Sequence, residues 1–295
     1  MSSIYNTFVA VENRYDFEAI QAWFRQYWTF AIYACVFYAA TIFALKQWME
    51  GKSKGYDVRR WLFAWSTGLA VFSVMGCTIN GIHLWSHVYN NGLVSTICVS
   101  RDGGIIQLAV NRYGFWTCVF VFSKILELGD TYFIILKKQQ LIFLHWYHHI
   151  TVLLYTWYAY NDFTAVNQWF LWINYAVHSI MYSYYSLRAS GYYRPPIWIN
   201  MSITVLQIVQ MILGVVLNLY VYVNHGDPNW DCKSNSDRGL HLCYVSFAMY
   251  FSYFLLFLQF FVDTYVLKKK KSKKPDKPVL TGNSKTLTNG QVKCD

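Results

Sequence analysis

The chain has 295 residues, of which 55% are hydrophobic and only 14% are charged. This composition excludes an ordinary soluble domain, and the chain is too long for a single membrane anchor, so we expect an all-α integral membrane protein with several spans. The net charge of +10 could suggest nucleic acid, but the basic residues lie in loops and in a C-terminal tail. We therefore expect contact with membrane lipids and none with nucleic acid.

Seven apolar stretches follow one another along the chain, and each approaches the ~20 residues that a spanning helix needs. They cover residues 27–45, 60–80, 115–136, 141–160, 165–187, 198–223 and 241–267. The sequence thus predicts three parts. These are a lumenal N-terminal segment with an interfacial helix (1–26), a seven-helix domain (27–267) and a basic, disordered cytoplasmic tail (268–295).

Lysine and arginine indicate the orientation of the spans. With the N-terminus outside, the cytoplasmic segments carry 18 of these residues and the opposite side carries 6. This bias satisfies the positive-inside rule. On that topology Cys98 and Cys232 are the two cysteines in non-cytoplasmic loops, so we expect them to form a disulfide if the compartment is oxidising.

Polar side chains recur at helical spacing in spans three to six. Span four contains His145, His148 and His149, which share one face of a helix. Three imidazoles at membrane depth indicate a functional site, and hydrogen-bonded structural histidines are the alternative. The neighbouring spans contribute Lys124, Glu127, Asp130 and Thr131, then Asn174, His178, Met181, Tyr182, Tyr184 and Tyr185, and finally Thr204, Gln207 and Gln210.

These four groups lie at a similar expected depth. Counted from the cytoplasmic ends of their spans at 1.5 Å per residue, one part of each group falls roughly 6 to 14 Å into the membrane. These residues are Glu127 and Asp130, His145 to His149, His178, and Thr204 and Gln207. We expect Lys124 to neutralise Glu127, and Asp130 to accept an N–H from a span-four histidine. A structural ion pair in span three and interhelical hydrogen bonding by span six are the alternatives. Because the lumenal halves of the helices are mostly apolar, the pattern predicts a polar reaction centre in front of a closed, apolar pocket.

Three other kinds of membrane protein fit part of this pattern. Membrane di-iron desaturases and hydroxylases use histidine boxes, and His83 and His87 have such a spacing, but the topology places both across the bilayer from His148. A seven-helix receptor has no evident use for a cytoplasmic ionisable cluster. A transporter would place its polar site nearer the midplane.

The four motifs resemble, in order, the signature motifs of the very-long-chain fatty acid elongases, and the resemblance covers residues 27–267. The tryptophan at position 146, inside the histidine motif, resembles the motif of the subgroup that uses saturated and monounsaturated acyl chains. The resemblance implies a multi-pass protein of the endoplasmic reticulum, with a lumenal N-terminus and a cytoplasmic C-terminus. Its last six helices would form an inverted barrel around an acyl tunnel. The motifs read Lys124-x-x-Glu127-x-x-Asp130-Thr131, His145-x-x-His148-His149, Asn174-x-x-His178-x-x-Met181-Tyr182-x-Tyr184-Tyr185 and Thr204-x-x-Gln207-x-x-Gln210.

The resemblance also implies an activity. Such an enzyme is a 3-oxoacyl-CoA synthase, which condenses acyl-CoA with malonyl-CoA to 3-oxoacyl-CoA, CoA and CO2, and we expect neither cofactor nor metal. The expected partners are the two CoA substrates, membrane lipids, and the ketoacyl reductase, dehydratase and enoyl reductase of the elongation cycle. A homo-oligomer is a further option.

His148 is the expected nucleophile, because imidazole can attack a thioester and the cluster offers no credible Ser–His or Cys–His pair. A one-step ternary mechanism and a metal bound by the histidines stay open. We expect Asp130 and His145 to orient the imidazole and Glu127 and Lys124 to hold the network, while His149 and His178 stabilise the enolate or thioester oxygen. The expected substrate-binding residues are Thr131, Asn174, Met181, Tyr182, Tyr185, Thr204, Gln207, Gln210, Lys137 and Lys138.

Overall fold

The computed structural model describes residues 12, 14–100, 106–162, 164–192, 195–226, 230–232 and 239–267. These residues form helices joined by short connections, with one small strand pair, so the expected all-α membrane fold is confirmed. The predicted tail, 268–295, lies outside them. The helices are α1 Phe17–Gln26, α2 Thr29–Glu50, α3 Arg59–Asn91, α4 Ile106–Glu127, α5 Gly129–Leu136, α6 Phe143–Ala159, α7 Asn167–Ser190, α8 Ile197–Val223 and α9 Gly239–Phe261, which continues as a π-helix over Val262–Leu267.

Four of the described helical segments are long and apolar enough to cross a membrane, namely α2, α3, α8 and α9 with its π-helical extension. The protein is therefore a multi-pass membrane protein. The other predicted spans have different features. A turn at Leu128 separates α4 from α5, α6 has 17 residues, and α7 buries Gln168, Asn174 and His178. These three units carry three of the four polar motifs, and the fourth lies on α8, which is still apolar enough to span. Helix α6 is also shorter than a typical membrane span.

The helices pack in pairs that bring the polar motifs together. The most extensive contact joins α3 to α7, and the next joins α8 to α9. Helix α6 packs against α2, α4 and α9. Because the motif-bearing helices α6 and α7 are covered by apolar helices, their polar side chains face the protein interior, as the cost of exposing them to lipid requires.

Helix α1 lies within the segment predicted as an interfacial helix. Asp16 caps its N-terminus, since the Asp16 carboxylate accepts the backbone N–H of Ala19 at 3.0 Å. Its apolar face docks on the bundle through Phe24, which is completely buried against Trp157 and Tyr160 of the α6 unit. One side of α1 is therefore part of the protein core.

A disulfide and a strand pair link two loops at the end of the bundle where α3 finishes and α9 starts. Cys98 and Cys232 form the expected disulfide, which joins residues 134 positions apart. Directly beside it, β1 (Val99–Ser100) pairs antiparallel with β2 (Trp230–Asp231). The Trp169 indole N–H donates to the Thr96 hydroxyl at 3.0 Å, which fixes this cap to the start of α7.

Candidate active site

The four motifs meet around one cavity of about 570 Å³. Its walls come from the start of α3, from α5, α6, α7 and α8, and from the end of α9. Of the expected site residues, the lining includes Asp130, Lys137, His145, His148, His149, Asn174, His178, Met181, Tyr182, Tyr185, Thr204, Gln207 and Gln210. The convergence that helical spacing and depth predict is therefore present.

Lys124 and Glu127 form a buried ion pair on α4. The Lys124 ammonium donates to both Glu127 carboxylate oxygens at 2.8 and 3.0 Å, and to the Asn174 side-chain oxygen at 2.9 Å. Ser123 donates a further hydrogen bond to Glu127 at 3.2 Å. All three ammonium protons therefore have acceptors, which is the condition under which a buried charge is tolerated. Lys124 is therefore paired with Glu127, as their spacing on one helical face predicts.

Through Asn174 this ion pair reaches His178. Because the Asn174 oxygen accepts from Lys124, the Asn174 amide nitrogen faces His178 Nε2, at 3.3 Å. An amide nitrogen only donates, so Nε2 is the acceptor and the His178 proton resides on Nδ1. His178 Nδ1 in turn lies 3.7 Å from Glu127 Oε1. The α4 and α7 motifs thus fix the orientation and tautomer of this imidazole.

Asp130 has partners other than the expected histidine. Its two carboxylate oxygens accept from the Trp65 indole N–H at 2.7 Å and from the Tyr182 hydroxyl at 2.6 Å. Helix α3 can come this close because residue 129 is glycine. A Cβ atom there would lie 2.5 Å from the Trp65 ring. Asp130 therefore joins α3, α5 and α7, and the predicted hydrogen bond to an α6 histidine is not the one it makes.

His145 instead contacts Thr131, and Thr131 contacts Tyr38. The His145 Nε2 atom lies 3.0 Å from the Thr131 hydroxyl, which lies 2.6 Å from the Tyr38 hydroxyl. Tyr38 is buried on α2, whose sequence shows no polar stripe, so sequence reasoning missed it. The arrangement connects the first long helix to the histidine cluster.

The three α6 histidines share one face, as their spacing predicts. The His145 and His149 ring centres are 4.6 Å apart, and those of His148 and His149 are 5.5 Å apart. His149 is buried, and among the described residues its Nδ1 atom has no hydrogen-bond partner. A buried, unpartnered ring nitrogen at the wall of a cavity is available to a ligand.

Helix α9 places Tyr253 beside the histidine cluster, a contact that sequence reasoning missed. The Tyr253 ring centre lies 4.8 Å from that of His148. The Tyr253 hydroxyl lies 2.5 Å from the Thr151 hydroxyl and 3.4 Å from the His148 carbonyl oxygen. Tyr253 holds the α6 backbone at His148, but a single tyrosine in an aromatic span carries no distinguishing signal.

The α8 motif lines the cavity and also makes interhelical contacts. The Gln207 amide donates to the Met181 sulfur at 3.4 Å. The Thr204 hydroxyl lies 3.4 Å from that of Tyr265, which follows α9. Both interpretations of this motif, a cavity wall and interhelical hydrogen bonding, therefore apply.

Basic residues line the cavity at the end opposite the disulfide. Lys137 is among them, as expected, together with Arg59 and Arg188, which sequence reasoning missed. The Arg59 guanidinium donates to the carbonyl oxygens of Ala189 and Ser190 at 2.9 and 2.7 Å. Lys138, an expected substrate-binding residue, does not line the cavity.

Lys138 is turned away from the site by the local backbone. It adopts a left-handed conformation with φ of 57°, and its ammonium donates to the backbone carbonyl oxygen of Lys52. The side chain therefore ties the α5 end to the loop after α2, and its assignment to substrate binding is not supported by its position.

A second, narrower pocket of about 70 Å³ adjoins the first. His148, Asn174, Gln210 and Met211 line both. From there the narrow pocket continues between α4, α6, α7 and α9 to Tyr160. Its middle walls are apolar and aromatic: Phe120, Val121, Val152, Tyr155, Phe170, Leu171, Met249, Tyr250 and Tyr253. In the described part of the chain, no three His, Cys, Asp or Glu side chains are grouped so that they could hold a metal ion.

Comparison with known proteins identifies the family. Residues 23–274 match the family described as ELO: GNS1/SUR4. The chain belongs to this family. It is 43% identical over 261 residues to very long chain fatty acid elongase 6 of Rattus norvegicus, covering 88% of this chain and 92% of the relative. It is 41% identical over 285 residues to putative fatty acid elongase 3 of Caenorhabditis elegans, covering 93% and 85%. Very long chain fatty acid elongase 3 of Homo sapiens is 36% identical over 268 residues, covering 88% and 92%. The resemblance inferred from the four motifs is confirmed.

Proposed function

We propose that this elongase-family protein catalyses the condensation step of fatty acid elongation, in which acyl-CoA and malonyl-CoA give 3-oxoacyl-CoA, CoA and CO2. The observation that carries the proposal is the position of His148, where a wide cavity with many polar and basic side chains meets a narrow, mostly apolar pocket. An acyl thioester has the same division, with a polar carrier on one side of the reacting carbonyl and an alkyl chain on the other. Family membership and the names of the relatives support the same activity, and they do not favour a desaturase.

The narrow pocket and the wide cavity each bind a different part of the acyl-CoA substrate. The narrow pocket takes the acyl chain, and its apolar walls favour burial of methylene groups. The wide cavity takes the CoA carrier. At its basic end, Arg59, Lys137 and Arg188 bind phosphate oxygens, since guanidinium and ammonium groups suit that ligand. Seven helical units cross the membrane, and the last six surround the tunnel.

The reaction we propose has two steps. In the first, a ring nitrogen of His148 attacks the acyl thioester carbonyl, so that an N–C bond forms and the C–S bond breaks. The CoA thiolate leaves with the proton that the imidazole gives up. In the second, malonyl-CoA loses CO2, and the electron pair of the broken C–C bond attacks the acyl carbon as an enolate. The new C–C bond replaces the C–N bond, and the imidazole regains a proton from water.

The remaining polar residues position these groups. His149, with its unpartnered Nδ1 atom, and His178, held by Asn174 and Glu127, lie beside the oxygens that become negative. His145 is fixed by Thr131. Asp130 acts at a distance, because its carboxylate holds Tyr182 at the cavity wall.

The biological setting is also a proposal. We place the protein in the endoplasmic reticulum membrane with a lumenal N-terminus and a cytoplasmic C-terminus. The acyl substrates are saturated and monounsaturated. The products pass to a ketoacyl reductase, a dehydratase and an enoyl reductase. The Cys98–Cys232 disulfide supports a lumenal position for its end of the bundle, since disulfides persist in oxidising compartments.

The test uses purified full-length protein, labelled malonyl-CoA and acyl-CoA under anaerobic, chelated conditions. We expect an acyl product two carbons longer. With acyl-CoA alone, intact-mass analysis should show a hydroxylamine-sensitive acyl adduct. His148→Ala should lose both product and adduct, whereas His241→Ala, which removes an exposed imidazole from α9, should lose neither.

Each contrary result has a defined meaning. A wild-type rate in His148→Ala would exclude the assignment of His148. Product without any adduct would favour the one-step ternary mechanism. Loss of product on chelation, restored by a metal, would favour a metal-assisted route. A new double bond without lengthening would overturn the elongase proposal in favour of a desaturase.

A further inference from the structure

The narrow pocket extends from His148 to Tyr160, the residue that follows the last turn of α6, and Thr164, Asn167 and Gln168 line it as well. His148 and Tyr160 both line it, and α6 runs between them. At 1.5 Å per residue this separates the two by about 18 Å along the helix axis. Tyr160 is buried, and it lines the pocket about one α6 length away from His148.

The Tyr160 ring is held in place by residues from the start of the chain. The ring centre of Phe24, on α1, lies 4.1 Å from that of Tyr160, and that of Phe17 lies 6.1 Å away. The Tyr15 hydroxyl is hydrogen-bonded to the Tyr160 hydroxyl. Neither α1 nor Tyr15 lines the pocket itself. They contact Tyr160 without being part of the pocket lining.

Further contacts anchor this N-terminal segment to the residues around Tyr160. The Gln21 amide donates to the Asn161 carbonyl oxygen at 2.8 Å, in the turn directly after Tyr160. The Trp116 indole N–H donates to Glu12 at 2.9 Å. On α4, residue 114 is glycine, and a Cβ atom there would lie 2.8 Å from the Phe17 ring. The segment is therefore closely fitted to α4 and to the turn after α6.

We propose that Tyr160 is the floor of the acyl tunnel, and that α1 with Tyr15 braces this floor and so sets the longest acyl chain that the enzyme accepts. This inference rests on the proposed function, because it assigns the narrow pocket to the acyl chain. Tyr160 is the residue that meets the methyl end of the substrate. Phe24 and Tyr15 are positioning residues, because they act through Tyr160.

The test is a length series of saturated acyl-CoAs, each assayed for one condensation with labelled malonyl-CoA. Phe24→Ala leaves space behind Tyr160, so the ring can retreat and a longer chain can fit. One methylene that fits or clashes in an apolar pocket changes specificity roughly 10- to 200-fold. We therefore expect kcat/KM for the first excluded length to rise by about tenfold or more, while shorter substrates keep their wild-type rate.

A second variant should act in the opposite direction. Ala159 lines the pocket beside Tyr160 and is buried, so Ala159→Leu shortens the space and should exclude the longest substrate of the wild type. Tyr15→Phe removes only the hydroxyl contact and should relax the limit less than Phe24→Ala does. The control is Phe30→Ala. Phe30 stacks on Trp157 of α6 at 5.3 Å, but Trp157 does not line the pocket.

The outcomes separate this inference from the proposed function. If the wild type does not condense any acyl-CoA, the proposed function fails. If it condenses them but Phe24→Ala and Ala159→Leu keep the wild-type length limit, the floor assignment alone is wrong. A limit shifted equally by Phe30→Ala would contradict it as well, because that variant leaves Tyr160 braced. If Phe24→Ala does not fold, the longest acyl chains that Ala159→Leu and Tyr15→Phe accept decide whether the floor assignment is right.

Discussion

Replacing Lys124 by methionine tests whether the buried ion pair holds the site together. Methionine keeps most of the side-chain volume, but it removes the ammonium, which also lies 4.2 Å from the centre of the Phe120 ring. Lys124 is only 1% exposed, and it donates to both oxygens of the Glu127 carboxylate, to which Ser123 donates as well. The variant therefore leaves a buried carboxylate without its countercharge.

The expected cost follows from that geometry. Removing one partner of a buried ion pair typically destabilises a protein by about 3–5 kcal/mol. For a chain of this size we expect the melting temperature to fall by on the order of 10 °C. The double variant Lys124→Met/Glu127→Gln removes both charges, so it should recover much of the loss. The difference between the single and double variants measures the coupling of the pair.

The assay is thermal unfolding of the detergent-solubilised protein, with the elution profile as a check on folding. Lys46→Met is the matched control, because Lys46 is exposed on α2 and its replacement should change stability by no more than about 0.5 kcal/mol. The single variant Glu127→Gln completes the cycle. The reasoning would be refuted if Lys124→Met were no more destabilising than Lys46→Met, or if the double variant lost as much stability as Lys124→Met and Glu127→Gln together.

Two further predictions concern the elements that hold the site and its far end. Tyr38→Phe removes the hydroxyl that contacts Thr131, and such a hydrogen bond is worth about 0.5–1.5 kcal/mol. We therefore expect kcat to fall by up to about tenfold, with little change in KM. A wild-type kcat in steady-state kinetics would contradict this expectation. Cys98→Ser and Cys232→Ser should each lower the unfolding free energy by about 2–4 kcal/mol. Their double variant should be little worse, since all three lose the same bond. Free, alkylatable thiols in protein taken directly from membranes would exclude the disulfide.

The convergence of the motifs is predictable from the sequence, because the membrane restricts where polar groups go. A polar stripe at helical spacing must face the interior, and its distance from the span end gives its depth. These two constraints are sufficient to predict that His148, His178 and Gln207 share one site. The same reasoning pairs Cys98 with Cys232, because the predicted topology leaves those two outside the membrane on one side.

Individual partners are harder to predict, because depth fixes the level of a residue but not the neighbour that it faces. The turn at Leu128 interrupts the helical register between Glu127 and Asp130, so Asp130 reaches Trp65 and Tyr182. Tyr38 and Tyr253 come from helices without a polar stripe. They are recognisable only once tertiary packing places each beside its partner.

The distribution of polarity among the helices explains how one fold can hold both compartments. The helices that meet the length and apolarity criteria for a span, such as α2 and α8, cover the units that carry the buried charges and imidazoles. Hydrogen bonds satisfy the buried polar groups of those units. Lys124 donates to Glu127 and Asn174, and Asp130 accepts from Trp65 and Tyr182. Since the basic residues and the disulfide lie at opposite ends of the bundle, changes at the two ends should have separable effects. A lost charge at the basic end should weaken binding of both CoA substrates, whereas a change behind Tyr160 should alter the acceptable chain length.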